Sequence, residues 1–159
     1  MGYLRAAPLL AAYGVIVSLA ACGFTPVYAP GTQIDQRFSE IEVAPPNNRF
    51  EYLLVRNLEE RIGRNPSGDT LLNHTLIIFE EGLEVVGAAR SQIVGEVRYQ
   101  LVSKDTGQVI ATGSVKSFTA YSPSSQVLVA TQRDTAERLM QILADKTISD
   151  LTIKLLRGG

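Results

Sequence analysis

A chain of 159 residues, 45% of them hydrophobic and 19% charged, is long enough for one domain with a real core and too apolar for a disordered tail. Its 15 basic and 16 acidic residues nearly cancel, so there is no global positive field of the kind that draws a protein to nucleic acid. A single cysteine excludes an internal disulfide framework and leaves that residue free, paired with another chain, or modified.

The start of the chain favours modification. Met1 to Arg5 carries one positive charge, and Ala6 to Ala21 carries none and is dominated by Ala, Leu, Val and Ile, the n-region and h-region pattern of a secretory signal. The segment ends Leu19-Ala20-Ala21-Cys22, which resembles the lipobox of bacterial lipoproteins. Small side chains fit the peptidase pocket beside the cut, and a free thiol at Cys22 accepts a diacylglycerol. Two or three acyl chains anchor a protein stably where one does so marginally. Residues 1–21 are therefore expected to be a lipoprotein signal peptide, and Cys22 the lipidated first residue of a mature chain with 14 basic and 16 acidic residues, Arg5 being the only charge lost. A spanning helix is the weaker alternative. The apolar part is only about 16 residues against the roughly 20 a span needs, and Pro26 and Pro30 interrupt the uncharged residues after it. N-myristoylation at Gly2 would want Ser or Thr where Ala6 stands. Gly23, rather than Asp, after the cysteine favours the outer over the inner membrane.

Residues 22–36 form a Gly/Pro-rich tether in this reading, and residues 37–159 the folded domain. Arg37 to Ala44 alternates, with Ser39, Ile41 and Val43 on one face, and predicts a strand broken by Pro45-Pro46. Asn48 and Glu51 have N-cap and N3 spacing. Phe50, Leu53, Leu54, Leu58 and Ile62 then recur at helical spacing, stopped near Gly63. Leu71 to Val86 predicts a long strand that is apolar on both faces, Leu72, Leu76 and Ile78 on one and Leu71, Ile77 and Phe79 on the other. After a turn at Gly87 to Arg90, Ser91 to Val102 alternates, with Ile93, Val97, Tyr99 and Leu101 inward. Lys104-Asp105-Thr106-Gly107 reads as a hairpin turn before a strand at Val109 to Tyr121. Ser122-Pro123 predicts a helix start, and no Gly or Pro interrupts the chain from there to Arg157. About 35 residues is long for one globular helix, so a break near Ser149 is expected.

The order β-α-β-β-β-α, with two amphipathic helices needing one sheet face, predicts an α+β two-layer sandwich of two helices on a four-stranded mixed sheet. The chemistry of catalysis is absent from the pattern. His74, the only histidine, lies on the Leu72/Leu76/Ile78 side of a strand and reads as a packed residue. No Cys-His pairing, metal-ligand spacing or phosphate loop is present, and Glu59-Glu60 and Glu80-Glu81 sit where solvated positions are expected. The expectation is a non-enzyme without cofactor or metal. Arg90, Arg98, Lys104 and Lys116, from the second hairpin region, are candidates to neutralise lipid phosphates if they converge.

Together, Cys22-Gly-Phe-Thr-Pro-Val-Tyr28, the Arg56-Asn57-Leu58 helix, Tyr99 to Gly107 and the Ala/Leu-rich final helix resemble the LptE family of lipopolysaccharide-assembly lipoproteins. Val27 stands where that family often has Leu. The resemblance covers nearly all of 22–159 and implies two helices on a four-stranded sheet. It also implies a role as plug and assembly partner of the outer-membrane β-barrel LptD, with lipopolysaccharide as the cargo placed in the outer leaflet. On this view the second apolar face of the strand at 71–86 meets a barrel wall. The competing expectation is a lipid-binding auxiliary lipoprotein of an envelope ABC transport system, whose mark would be a stable apolar cavity.

Overall fold

The structure, a computed structural model, describes residues 33–85, 88–121 and 128–157, with side chains described for 34–82, 91–121 and 133–157. The signal peptide, Cys22 and most of the expected tether lie outside the described residues, as does the Ser122-Pro123 helix start.

Chain order gives helix α1 (Gln33–Ser39), strand β1 (Ile41–Val43), helix α2 (Arg49–Ile62), strands β2 (Thr70–Val85), β3 (Ala88–Ser103) and β4 (Val109–Tyr121), and helix α3 (Leu128–Arg157). The strands form one mixed sheet in the order β1-β2-β3-β4, with β1 parallel to β2 and the other pairs antiparallel. This is the predicted α+β sandwich with one short helix added. Residues 37–39, expected to begin a strand, instead finish α1, and that helix also takes the end of the expected tether. The physical reason is Ile34 and Phe38, four residues apart and each only 4% exposed, which share one helical face against the core. The strand that remains is short, and Thr70 N donating to Glu40 O (3.1 Å) and Ala44 N donating to Leu72 O (3.0 Å) bracket it.

α2 begins as its sequence predicts. Asn48 Oδ1 accepts from the amides of Phe50 and Glu51, each at 3.0 Å. Glu51 Oε2 reaches back to the amide of Asn47 at 2.7 Å, one residue earlier than the usual capping box. The helix ends at Gly63, whose φ of +86° is open to glycine at little cost. β3 begins earlier than expected, at Ala88, which pairs with Val85, so Arg90 is a strand residue opposite Leu83 and not part of a turn. The β3–β4 hairpin turns at Gly107, with φ +69°.

α3 is continuous from Leu128 to Arg157, without the break expected near Ser149. The hydroxyls of Thr147, Ser149 and Thr152 each bond the carbonyl four residues back, at 2.8, 2.8 and 2.7 Å, so these residues satisfy themselves inside the helix. The core lies between the helices and the inner face of the sheet. Leu54, Leu58, Leu72, Val97, Leu139, Leu143 and Leu151 are wholly buried there, each contributing on the order of 1.5–3 kcal/mol. α3 approaches β3 closely because position 95 is glycine; a Cβ there would stand 2.7 Å from Leu143 Cδ1.

Candidate functional site

Strand alternation sends one set of side chains into the helices and the other to the opposite face. Register then sets the outer face in rows across β2, β3 and β4. Phe79 pairs with Val94 and Val94 with Phe118; in the next row Ile77 pairs with Glu96 and Glu96 with Lys116; then Thr75, Arg98 and Ser114. The first row is an aromatic strip. Phe79 is 44% exposed and Phe118 61%, while Val94 between them is 4% exposed. No helix packs on this face among the described residues, so two phenylalanines and the 37% exposed Ile77 are left to solvent.

Charge borders the strip. Lys116 Nζ stands 5.6 Å from the centre of the Phe79 ring, within cation–π range. Arg98 Nε donates to Glu96 Oε1 at 2.6 Å, and Ser114 Oγ donates to the same oxygen at 3.0 Å. These bonds, that from Arg98 first, hold the Glu96 carboxyl below the usual carboxylate range, with the Lys116 charge adding to the effect. Two cations and one firmly ionised carboxylate thus sit beside an apolar strip, an arrangement suited to a surface that is apolar and anionic by turns.

Of the four predicted basic residues, the structure brings Arg98 and Lys116 together around Glu96. Lys104 is at the hairpin end of the sheet, ion-paired with Glu42 of β1. The Arg90 side chain lies outside the described residues, as does Cys22. Sequence reasoning missed Phe118 and Val94 as members of the face. The alternation in β3 and β4 held the signal, but only register shows that the two residues flank one another.

A second feature is a cavity of about 410 Å³ at the far end of β2, between the first turn of α2 and α3. Leu53, Ile78, Ile93 and Ala136 are among its apolar lining, and Arg49 and Arg133 stand at it with Glu80 and Glu137. Glu80 accepts the hydroxyl of Tyr121. His74 lies on the same inner face, its buried ring nitrogens without a well-formed hydrogen bond. Burial pushes its pKa down, partly offset by the nearby Glu51 carboxylate, so the ring is neutral at neutral pH.

The family model for lipopolysaccharide assembly, LptE, matches residues 38–151. The chain belongs to the LptE family. Its work therefore falls in lipopolysaccharide assembly in the bacterial envelope. Solved structures agree in fold. A protein from Caulobacter crescentus CB15 is similar at 24% identity and a TM-score of 0.67, the match covering 79% of this chain and 97% of that one. The minor lipoprotein of Acinetobacter baumannii is similar at 12% identity and a TM-score of 0.54, covering 71% and 88%. Rare lipoprotein B of Shewanella oneidensis is similar at 11% identity and a TM-score of 0.53, covering 74% and 95%. Among curated proteins no match was found.

Proposed function

We propose that this LptE-family chain is an outer-membrane lipoprotein, anchored through Cys22, that acts as plug and assembly partner inside an LptD-type β-barrel. It takes no catalytic part. The observation that carries this reading is the Phe79–Val94–Phe118 strip on the sheet face that no described helix covers. Exposed aromatic rows of this kind mark interaction surfaces, and a barrel wall is a broad surface that such a row could meet. Arg98 and Lys116, beside the strip, are the residues proposed to meet lipopolysaccharide phosphates. Arg90 remains a further candidate for the same role. Lys104 is a weaker one, because Glu42 already holds it.

The test is detergent purification of the tagged lipoprotein from native membranes, in wild-type form and with Phe79→Asp and Phe118→Asp. A large outer-membrane barrel in equal amount with wild type, and its loss with the variants, is the expected result. Undiminished barrel recovery with both variants would sink the assignment of this face.

The cavity supports a second reading, the lipid-binding auxiliary lipoprotein of an envelope ABC transport system. That reading requires extractable lipid bound to the delipidated protein and inner-membrane transporter subunits among its partners.

A further inference from the structure

The two long edges of the sheet differ. On β4, Lys146 Nζ of α3 donates to the carbonyl of Lys116 at 2.9 Å, and Lys154 Nζ donates to that of Thr112 at 2.5 Å. Two carbonyls on that edge are thus already taken by ammonium groups, a common way to blunt an edge strand. On β2 the situation is reversed. β1 pairs only with Thr70, Leu71 and Leu72, after which the chain turns away at Pro45. The backbone groups of Thr70 and Leu72 point to β1, as the bonds to Glu40 O and from Ala44 N demonstrate. The register of β2 with β3 runs without a bulge from Thr70 to Val85, so the groups of His74, Leu76, Ile78, Glu80 and Gly82 point the same way. Among the described residues, nothing from another element bonds to them. From Leu71 to Phe79 the strand also lacks Asp, Glu, Lys, Arg and Pro, the residues that normally guard an open edge, and its first charges come only at Glu80 and Glu81.

The cavity lies along this same edge. Ile78 projects to the inner face and Phe79 to the outer, yet both line it together with Glu80, so it reaches round the free side of the backbone. An open row of N–H and C=O groups is satisfied by an extended peptide, and a cavity beside it holds one of that peptide's alternate side chains.

We infer that the edge of β2 at residues 74–82 is a strand-addition site that takes an extended, uncharged segment of the barrel partner, with one apolar side chain seated in the cavity. This inference rests on the barrel reading proposed above and adds the mode of attachment. The partner is favoured over a second copy of this chain by continuity. Phe79, one of the rings on the face proposed to meet the barrel, also lines the cavity at this edge, so one partner can cover both.

Amide hydrogen exchange on the full lipoprotein, alone and in its purified barrel complex, tests it residue by residue. Edge-facing amides of Leu76, Ile78 and Glu80 are expected to exchange at least ~100-fold more slowly in the complex, while Thr75, Ile77 and Phe79, already bonded to β3, stay as they are. Unchanged exchange at the three even positions in an intact complex would overturn the inference and leave the barrel reading standing. Protection that appears in the lipoprotein alone and rises with its concentration would assign the edge to a second copy and overturn it as well. Failure of any barrel to assemble with the wild-type protein would overturn the barrel reading, and the inference with it.

Discussion

The hydroxyl of Tyr99 donates to Asp150 Oδ2 across 2.6 Å, joining the middle of the sheet to the last helix. Lys154 Nζ bonds the same carboxylate at 2.7 Å and lies 5.2 Å from the Tyr99 ring centre, completing a polar lock at the rim of an apolar core. Burial pushes the Asp150 carboxyl up, but the bonds from Lys154 and Tyr99 outweigh it and hold it below its usual range. Burial first, and then the Asp150 bond, push the Tyr99 hydroxyl well above its usual range.

A carboxyl depressed in the folded state gives stability that is present above its unfolded value and lost as pH falls through the folded one. Asp150→Asn should therefore cost stability at pH 7, and the gap from wild type should begin to narrow below about pH 4 and close as pH falls through the lower folded value. Tyr99→Phe should cost about 1–2 kcal/mol at neutral pH. Urea unfolding at pH 7 and pH 3 checks both; a gap for Asp150→Asn that does not narrow at all between the two would mean the residue matters for its shape and not its charge.

His74 titrates the same way for a different reason. Its pKa is lowered by burial, so protonation is easier in the unfolded chain, and stability falls as pH drops below 6.5. His74→Leu should flatten the thermal-melt profile between about pH 7.5 and 5 relative to wild type. An unchanged slope would place that titration elsewhere.

Close approach of elements at glycine makes a graded prediction. A Cβ at position 68 meets the backbone of β1, standing 2.8 Å from Glu40 C and 2.9 Å from Glu42 N, and backbone does not give way. At position 95 it meets side-chain methyls of Leu143 and Leu139, which shift more readily. Gly95→Ala should cost about 1–3 kcal/mol and Gly68→Ala more. Denaturant midpoints in the reverse order would contradict the account of β1 docking.

On the outer face the prediction separates folding from docking. Phe79→Asp and Phe118→Asp should leave the melting temperature within a few degrees of wild type, since the two residues are 44% and 61% exposed. Val94→Asp buries a charge at a position 4% exposed and should unfold the domain. If all three variants melt alike, the row is not arranged as the register states.

For the basic residues, lipopolysaccharide binding followed by displacement of a fluorescent anionic probe should weaken with Arg98→Ala and Lys116→Ala. Binding should tighten with Glu96→Gln, which releases both cations, and Lys104→Ala should have little effect. Equal weakening by Arg98→Ala, Lys116→Ala and Lys104→Ala would show that net charge alone governs binding.

Much of this was legible in the sequence. The α2 stripe and its Asn48 cap, the limits of β4 and the turn at Gly107 all rest on local chemistry that neighbouring residues reveal. α1 was not legible because Ser39, Ile41 and Val43 alternate convincingly, and that alternation hid the four-residue spacing of Ile34 and Phe38. The two apolar faces of β2 were readable as a fact about one strand. That Phe79 shares a row with Phe118, and that Lys104 stands apart from Lys116, depends on register between strands distant in sequence, which no local pattern contains.

The lysines that hold the β4 carbonyls also limit assembly. With two carbonyls of the β4 edge held by lysines and the β2 edge free, an added strand is favoured on β2 over β4. Attachment through β2 then favours a one-to-one pair over growth into a filament.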